Sequence, residues 1–561
     1  MGTIFLDITV IICVAAGLSL IFRLFDQPVI LAYILTGVLL GPLGLFHIAS
    51  TSDLQSFGYV GITLLLFMLG LELKLRELAS IGKTAIIIAF LQMWFTFVIS
   101  FITLRILSYS ITPAFFTAIA LTFSSTVILV KIFSDKKDLN SLHGKLAVGI
   151  SLTQDLAAII LLIFISNNKI SFSPITFTEE ISSLLIKIFI MFFIITFLSY
   201  SVFPRITHYI ARSTESLFLF SLAWMFLLTA VLSSPWIGFS IEIGGFLAGL
   251  ALANTNETYQ IVGRMKPLRD FFITIFFVML GLQMNFAHVF LILPMVMILS
   301  ILALIVKPVI LLLLASVFGF RKRTSFLVSV SLGQISEFSL LVVFLVSSLL
   351  TPDVVTTIVL AGLVSFAVSS YVTQNSNFFY KLVGDKLTFL ESSHVHHLQD
   401  GENEEELLNL TKHLVIIGGH QMGNSILESL EKDENVVVVD FDPDVIRKLR
   451  QKGVKAFFGD IADPEIQDRV GLDKARLVIS TVPDVEDNLL LIERLNTENK
   501  RAKIIVMCYE IEDAKRLYKA GADYVVLPHL AGGRHLAKVL KSDDFNEFEK
   551  YKNKDLAYFK I

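Results

Sequence analysis

The sequence predicts a helical membrane domain followed by a smaller soluble α/β domain, and three observations carry that prediction. Of 561 residues, 54% are hydrophobic and only 17% are charged. From Met1 to about Thr373 the chain is a series of long apolar runs, and from about Asp400 it has ordinary soluble composition. A strand–glycine turn–helix pattern then opens at His413. The boundaries read as a transmembrane domain at 1–373, a linker at 374–410, a Rossmann-like domain at 411–541 and a tail at 542–561. The near-neutral net charge of −3 says nothing about nucleic acid, and no basic patch suggests it. The two cysteines, Cys13 and Cys508, fall in different phases, so no disulfide framework is expected. The N-terminus lacks a basic leader region and carries Asp7 inside its apolar run, so the first segment is expected to be retained.

With about 20 residues needed to span a bilayer, thirteen segments are legible. They are Ile4–Phe22, Val29–Leu45, Tyr59–Leu73, Thr84–Ile106, Pro113–Ile132, Lys145–Ile165 and Ile181–Phe203, then Leu217–Leu232, Ile237–Ala253, Phe271–Met284, Val289–Phe318, Ser325–Leu350 and Val354–Val372. Connectors after odd-numbered segments hold Arg23; Lys74, Arg76 and Lys83; Lys136 and Lys137; Arg205 and Arg212; Arg264, Lys266 and Arg269; and Arg321, Lys322 and Arg323. The other side offers little beyond Lys169 and Arg105. The positive-inside rule therefore puts the N-terminus outside and the C-terminal domain in the cytoplasm, as an odd number of crossings requires.

An internal repeat is visible. Leu64–Leu73 reads like Ile275–Met284, and at the same spacing Leu121–Thr126 aligns with Leu332–Glu337. Ile34–Gly37 aligns with Phe246–Gly249, one residue out of step. The patches begin in segments two and nine, an odd number of helices apart, so the halves insert with opposite topology. Inverted repeats with discontinuous helices are common in secondary transporters, which bind substrate near the midplane.

The chemistry centres on Gln154-Asp155, in the middle of a spanning run. A carboxylate at helix centre costs about 2.5–3.5 kcal/mol on insertion scales, so it is rarely kept for packing. A buried acid there is a place where proton and cation compete. Polar interruptions fall at corresponding places in the two repeats: Thr122, Ser124, Ser125 and Thr126, and Gly333, Gln334, Ser336 and Glu337. Such stretches let backbone carbonyls and half-helix ends face a cavity. Lys307-Pro308 lies deep in segment eleven, and an ammonium there needs a partner, with Asp155, Glu337 and Glu242 as candidates. Pro308 weakens the helix beside it.

Taken together, Gln154-Asp155, Ser124-Ser125-Thr126, Gly70-Leu71-Glu72-Leu73, Gly245-Phe246-Leu247-Ala248-Gly249, Lys307 and Ser336-Glu337-Phe338 resemble the monovalent cation:proton antiporter-2 family, especially its Kef-type potassium/proton branch. The resemblance covers nearly the whole chain. It implies a homodimeric thirteen-helix antiporter of the inner (plasma) membrane whose core bundle moves against a dimerisation domain. Asp155 would bind the transported monovalent cation or a proton. Gln154 and the hydroxyls or carbonyls of segment five would help coordinate, and Lys307 and Glu337 would hold charge balance. Relatives with two adjacent aspartates tend to be electrogenic sodium exchangers, whereas a single acid suits one-for-one exchange. Ile335-Ser336 stands where close Kef members have two glycines, which leaves sodium open beside potassium.

Past the membrane domain, the connector is amphipathic and then acidic, with Asp400, Glu402, Glu404, Glu405 and Glu406. His394, His396 and His397 have no further ligands beside them and read as solvated linker. His413–Ile417 is a buried-strand pattern running into Gly418-Gly419-His420-Gln421-Met422-Gly423 and a helix. A second strand, Val436–Asp440, places its acid about 20 residues beyond the turn, as the dinucleotide fingerprint requires. His420 takes the second glycine position, so both a mononucleotide and a shifted dinucleotide remain open. This part resembles the nucleotide-binding regulatory domains of potassium transporters. That implies NAD(H) or AMP as regulatory ligand, with contacts at Gly418, Gly423, Asp440, Asp460 and Thr481. The function read from the sequence is a nucleotide-regulated monovalent cation:proton antiporter, potassium preferred, and not an enzyme. A nucleotide-gated potassium channel or uniporter needs no titratable midplane acid, and against a membrane-bound oxidoreductase the sequence shows no second substrate domain, haem ligands or flavin site.

Overall fold

A computed structural model describes residues 2–167, 191–387 and 411–541 apart from positions 26, 45–50, 73–82, 137, 140, 192, 212, 235–236, 238, 240, 256, 321, 385, 420, 431–434, 441–442, 460, 462–463 and 483, together with 549, 551–552 and 556. The chain divides into two compact units, Met1–His394 and Val395–Ile561. The three linker histidines, the acidic residues of the connector, Lys74, Arg76, Lys137, Lys169, Arg212, Arg321 and residues 181–190 of segment seven lie outside the described residues.

The first unit is all-helical. Its helices are α1 Gly2–Leu24, α2 Val29–Leu40, α3 Thr51–Glu72, α4 Lys83–Ile106, α5 Ile111–Thr122, α6 Thr126–Asp135, α7 Leu142–Asn167 and α8 Phe203–Ile210. They continue with α9 Thr214–Leu232, α10 Ile241–Leu252, α11 Thr258–Leu282, α12 Val289–Ile301, α13 Lys307–Val317, α14 Lys322–Ser331, α15 Glu337–Leu345, α16 Pro352–Gln374 and α17 Ser376–Val383. Among the described residues, eight helices are long and apolar enough to cross a membrane. Their outward faces are as apolar as their inward ones: Phe90 and Trp94 on α4 and Phe290 and Leu291 on α12 are exposed. An exposed apolar surface of that kind needs a lipid or protein partner.

Several expected boundaries move, for identifiable reasons. Segment ten begins at Thr258 rather than Phe271, because helix α11 continues through the charged stretch holding Arg264, Lys266 and Arg269. Apolarity marks where a helix meets lipid, while hydrogen bonding decides where it starts. Segment three likewise begins at Thr51, and α10 starts at Ile241 rather than Ile237. Segment two stops at Leu40, since Gly41-Pro42 cannot continue the helix. Segments five and twelve each leave the helix, at Phe123–Ser125 and at Leu332–Ser336. In segment eleven a π turn at Leu302–Val306 precedes Lys307-Pro308, where proline supplies no amide to the ladder.

The sequence patches that align with each other meet in exchanged pairs. A β-carbon at Gly37 would stand 1.9 Å from the Val278 carbonyl oxygen, and one at Gly281 would stand 2.2 Å from that of Ile34. The counterpart crossing behaves alike: a β-carbon at Gly249 would lie 1.9 Å from the Phe67 carbonyl oxygen, and one at Gly70 2.3 Å from that of Phe246. Backbone therefore touches backbone at α2–α11 and at α10–α3, which is how helices associate closely in lipid. At the end of α6, Lys136 Nζ donates to the Thr373 carbonyl at 2.8 Å and to Ser376 Oγ at 3.1 Å, gripping the last turn of α16 and the first residue of α17.

The second unit is a parallel sheet flanked by helices. Its elements are β1 Leu414–Ile417, α18 Gln421–Ser429, β2 Val436–Asp440, α19 Pro443–Gln451, β3 Lys455–Phe458, α20 Pro464–Arg469, β4 Leu477–Ser480, α21 Val485–Glu498, β5 Lys503–Met507, α22 Ile511–Ala520, β6 Tyr524–Val526 and α23 Pro528–Lys541. The strand order is β3-β2-β1-β4-β5-β6, all parallel, with Ile416 beside both Val438 and Ile479. The strand order reverses between β1 and β4, the place where open α/β sheets bind ligands. Just before β1, buried His413 donates Nε2–H to the Val470 carbonyl at 2.7 Å, and its Nδ1 has no hydrogen-bond partner. Burial holds this imidazole below the ordinary histidine range. The folded form therefore resists protonation, and its stability is full above the ordinary histidine pKa and falls as the pH drops through it.

Two outcomes follow from the packing. Gly249→Val should lower the detergent unfolding temperature of the protein sharply, because overpacking against backbone costs about 1–3 kcal/mol or more. An unchanged temperature would refute the close crossing. Lowering the pH from about 7.5 to about 5.5 should lower the calorimetric unfolding temperature of the C-terminal unit in the full chain. His413→Gln should flatten that slope, and an equal slope in the variant would remove His413 as its source.

Candidate functional site

The breaks of segments five and twelve lie against each other, and side chains partner the backbone groups the breaks set free. Ser124 Oγ donates to the Leu332 carbonyl at 2.8 Å, and Gln334 Nε2 donates to the Ser125 carbonyl at 3.1 Å. The Ser124 N–H donates to Gln154 Oε1 at 2.9 Å, and the Ile335 N–H to Ser365 Oγ at 3.1 Å. Irregular backbone at membrane depth survives only when its polar groups find partners of this kind.

Lys307 joins the two breaks. Its buried ammonium donates to the Phe123 carbonyl at 2.8 Å and to the Gln334 carbonyl at 2.7 Å. These carbonyls lie just past the C-terminal ends of α5 and α14, where the helix dipoles favour a cation. The expected carboxylate partner is thus replaced by backbone. Among the described residues no acid is ion-paired with Lys307, and the Glu242 side chain lies outside them. Two carbonyls at negative helix ends take two of its three N–H donors, so backbone and not Asp155 or Glu337 holds it here.

The acids collect at the opposite helix ends. Ser125 Oγ caps α6 by accepting the Ile128 N–H at 3.3 Å, and Ser336 Oγ caps α15 by accepting the Phe338 N–H at 3.1 Å. Thr126, first in α6, donates Oγ1–H to Asp155 Oδ2 at 2.6 Å and also touches Ser151 Oγ. Glu337, first in α15, lies beside Ser125 and Ser336 and within electrostatic reach of Asp155. Asp155 Oδ1 and Glu337 Oε1 are buried without a hydrogen-bond partner. Both acids sit where helix N-termini favour negative charge, and each keeps one oxygen open to a proton or a cation.

The sequence-derived residues do come together here, with altered roles. Gln154 spends its oxygen on Ser124 N–H and its amide nitrogen on Gln92 Oε1 at 2.5 Å, so it holds the break instead of offering itself to an ion. Ser124 and Ser125 are likewise committed to the break and the cap, which leaves Thr126 as the hydroxyl of segment five on Asp155. Sequence reasoning missed Gln92, Ser151, Ser365 and Ser369, the last of which donates its hydroxyl to Gln334 Oε1. For Gln92 a signal existed: a lone amide in an apolar helix, with Thr96 and Ser100 at four-residue intervals.

In the second unit, Gly418 has φ +89°, and a β-carbon there would stand 2.4 Å from Thr481 Oγ1. A β-carbon at Gly423 would stand 1.8 Å from the Gly418 carbonyl oxygen. The turn thus admits only glycine at both positions. Asp440 Oδ2 accepts the Gly419 N–H at 2.6 Å, and Thr481 Oγ1 lies 3.0 Å from the Ile417 and Gly418 carbonyls. Gly418, Gly423, Asp440 and Thr481 therefore gather at the C-terminal edge of β1, β2 and β4, while Asp460 and His420 lie outside the described residues.

Comparison with known proteins assigns each unit to a family. Residues 9–374 match the family model described as sodium/hydrogen exchanger, transmembrane, and residues 414–528 match the TrkA-N domain. A putative cation/proton antiporter, YbaL, from Escherichia coli (strain K12) is 25% identical over 525 residues, covering 91% of this chain and 92% of that protein. The glutathione-regulated potassium-efflux system protein KefC of Escherichia coli O81 (strain ED1a) is 25% identical, covering 88% and 78%. K(+) efflux antiporter 5 of Arabidopsis thaliana is 28% identical over 349 residues, 61% of each chain. The structure of the sodium proton antiporter MjNhaP1 from Methanocaldococcus jannaschii superposes with a TM-score of 0.50 at 15% identity, covering 67% of this chain and 97% of that one, a likeness of fold. With its family model spanning most of the membrane unit and a TrkA-N domain behind it, the chain belongs to the sodium/hydrogen exchanger family of transmembrane proteins.

Proposed function

We propose that this protein exchanges a monovalent cation, potassium preferred, for a proton by alternating access, and that Asp155 is the group on which the two ions compete. The carrying observation is the state of Asp155: buried, held through one oxygen by Thr126, open at the other, and unpaired with Lys307. An acid locked to an ammonium could not trade occupants. One carboxylate exchanging one occupant for one suits electroneutral stoichiometry. Potassium is favoured by the likeness to the named potassium-efflux relatives, and the Ile335-Ser336 departure keeps sodium as the alternative cation.

In this reading the membrane domain spans residues 1–373 with thirteen crossings and inverted halves. The exchanged glycine pairs support that symmetry, because a two-fold relation makes Gly37 meet Gly281 wherever Gly249 meets Gly70. The protein works as a homodimer in the plasma membrane, with its N-terminus outside. Residues 411–541, reached through the 374–410 linker and followed by a 542–561 tail, lie in the cytoplasm. There a nucleotide, NAD(H) or AMP, would seat its phosphates on the Gly418–Gly423 turn at the start of α18, close to Asp440 and Thr481, with Asp460 as a further contact. The glycine turn suits such a group, since glycines at 418 and 423 let it pack tightly where α18 begins and leave that helix's N-terminus to receive phosphate. The nucleotide acts by binding transporter conformations unequally. Glu337 shares the charge of the site with Asp155, and Lys307 keeps the two breaks joined.

In proteoliposomes, Asp155→Asn should abolish cation-driven proton movement, read by a trapped pH dye, while the protein stays monodisperse; retained exchange would end the assignment. Lys307→Met should strand the Phe123 and Gln334 carbonyls, each buried unpaired group costing about 1–3 kcal/mol. Its unfolding temperature in detergent should fall clearly, and an unaltered value would show the breaks hold without it.

A further inference from the structure

Gln92 lies in the middle of α4, buried, with Thr96 and Ser100 buried beyond it on the same helix. Its Nε2 donates to the Thr122 carbonyl at 3.2 Å and to Thr96 Oγ1 at 2.9 Å, and its Oε1 accepts from Gln154 Nε2. Gln154 Oε1 in turn accepts the Ser124 N–H. The run of bonds has fixed ends. Ser124 N–H can only donate and the Thr122 carbonyl can only accept, so both amides are held in one orientation. Those ends are the carbonyl of the last residue of α5 and an N–H inside the break, and they bracket Phe123 where the helix stops. The two glutamines therefore form a clamp across the start of the break.

We propose that Gln92 is a positioning residue for exchange: with Gln154 it fixes the spacing of Thr122 and Ser124 where the break begins, and so the place where Thr126 meets Asp155. The inference rests on the reading of Asp155 as the ion site. The clamp also selects a neutral partner for that acid. Gln92 turns its oxygen toward position 154, so an ionised side chain there would face an acceptor in place of a donor. The second amide of the clamp thus helps keep Asp155 the single charge of the Gln154-Asp155 pair. Helix α4 packs against α5, α7 and α13. The ionisable groups these elements carry are Asp155, His143 and Lys145 on α7 and Lys307 on α13, with Lys83 and Arg105 at the ends of α4 itself.

The test uses the full chain in proteoliposomes, with potassium as the driving ion and proton flux as the readout. Gln92→Leu removes both ends of the clamp and should raise the KM for potassium about tenfold, the effect of one buried hydrogen bond lost, with a smaller change in kcat. Gln92→Glu keeps the shape: its protonated carboxyl can donate to the Thr122 carbonyl and accept from Gln154, and its ionised form cannot donate. The ratio of its KM to that of the unaltered protein should be near one at low pH and climb as the pH rises. If Gln92→Leu fails to fold, the Gln92→Glu profile alone decides. A ratio that is flat with pH, or an unaltered KM in Gln92→Leu, overturns the proposal. Asp155→Asn measured alongside separates the two claims: exchange in that variant removes the ion site itself, whereas its loss with unaltered Gln92 variants removes only the clamp.

Discussion

The ammonium of Lys307, held between the Phe123 and Gln334 carbonyls, is the contact on which the membrane unit depends. Two helices that stop in mid-membrane leave carbonyls at one end and amides at the other, and lipid offers neither a partner. A single lysine answers both carbonyl ends at once. Serine caps answer the amide ends, and there the two acids sit. Positive charge against helix C-termini and negative charge against helix N-termini is the favourable assignment for each, so the centre of the unit is electrostatically sorted before any ion arrives.

That sorting explains why the site was partly legible in the sequence. Hydroxyls and amides in spanning runs have few reasons to exist, so Ser124, Ser125, Thr126, Gln334 and Ser336 pointed to the breaks, and Asp155 pointed to the buried acid beside them. The glycines of the aligned patches pointed to close crossings, and the strand–turn–acid spacing pointed to the parallel sheet. What stayed hidden was pairing. Nothing in the order of residues says that an ammonium prefers two carbonyls on distant segments to a carboxylate, or that Gln154 faces Gln92. Backbone carbonyls are invisible to a reading of side-chain types. The start of α11 was missed for a related reason, since its charged first turns extend beyond any apolar window.

The two units use small residues in opposite ways. At Gly37, Gly70, Gly249 and Gly281 the missing side chain lets helices press together. At Gly418 and Gly423 it lets one turn fold tightly above the sheet, with Gly418 in a backbone conformation that other residues rarely adopt. The first use builds a contact between segments; the second builds a contact within one turn.

Helix α6 is short, running only from Thr126 to Asp135, and both its ends are held. Thr126 is bound to Asp155 at one, and Lys136, just past the other, is fastened to Thr373 and Ser376. A rod tethered in this way cannot advance along its own axis without letting go somewhere. The final residues of α16 and the hydroxyl on Asp155 are thus joined through one short helix, so a shift at either end has to be met at the other.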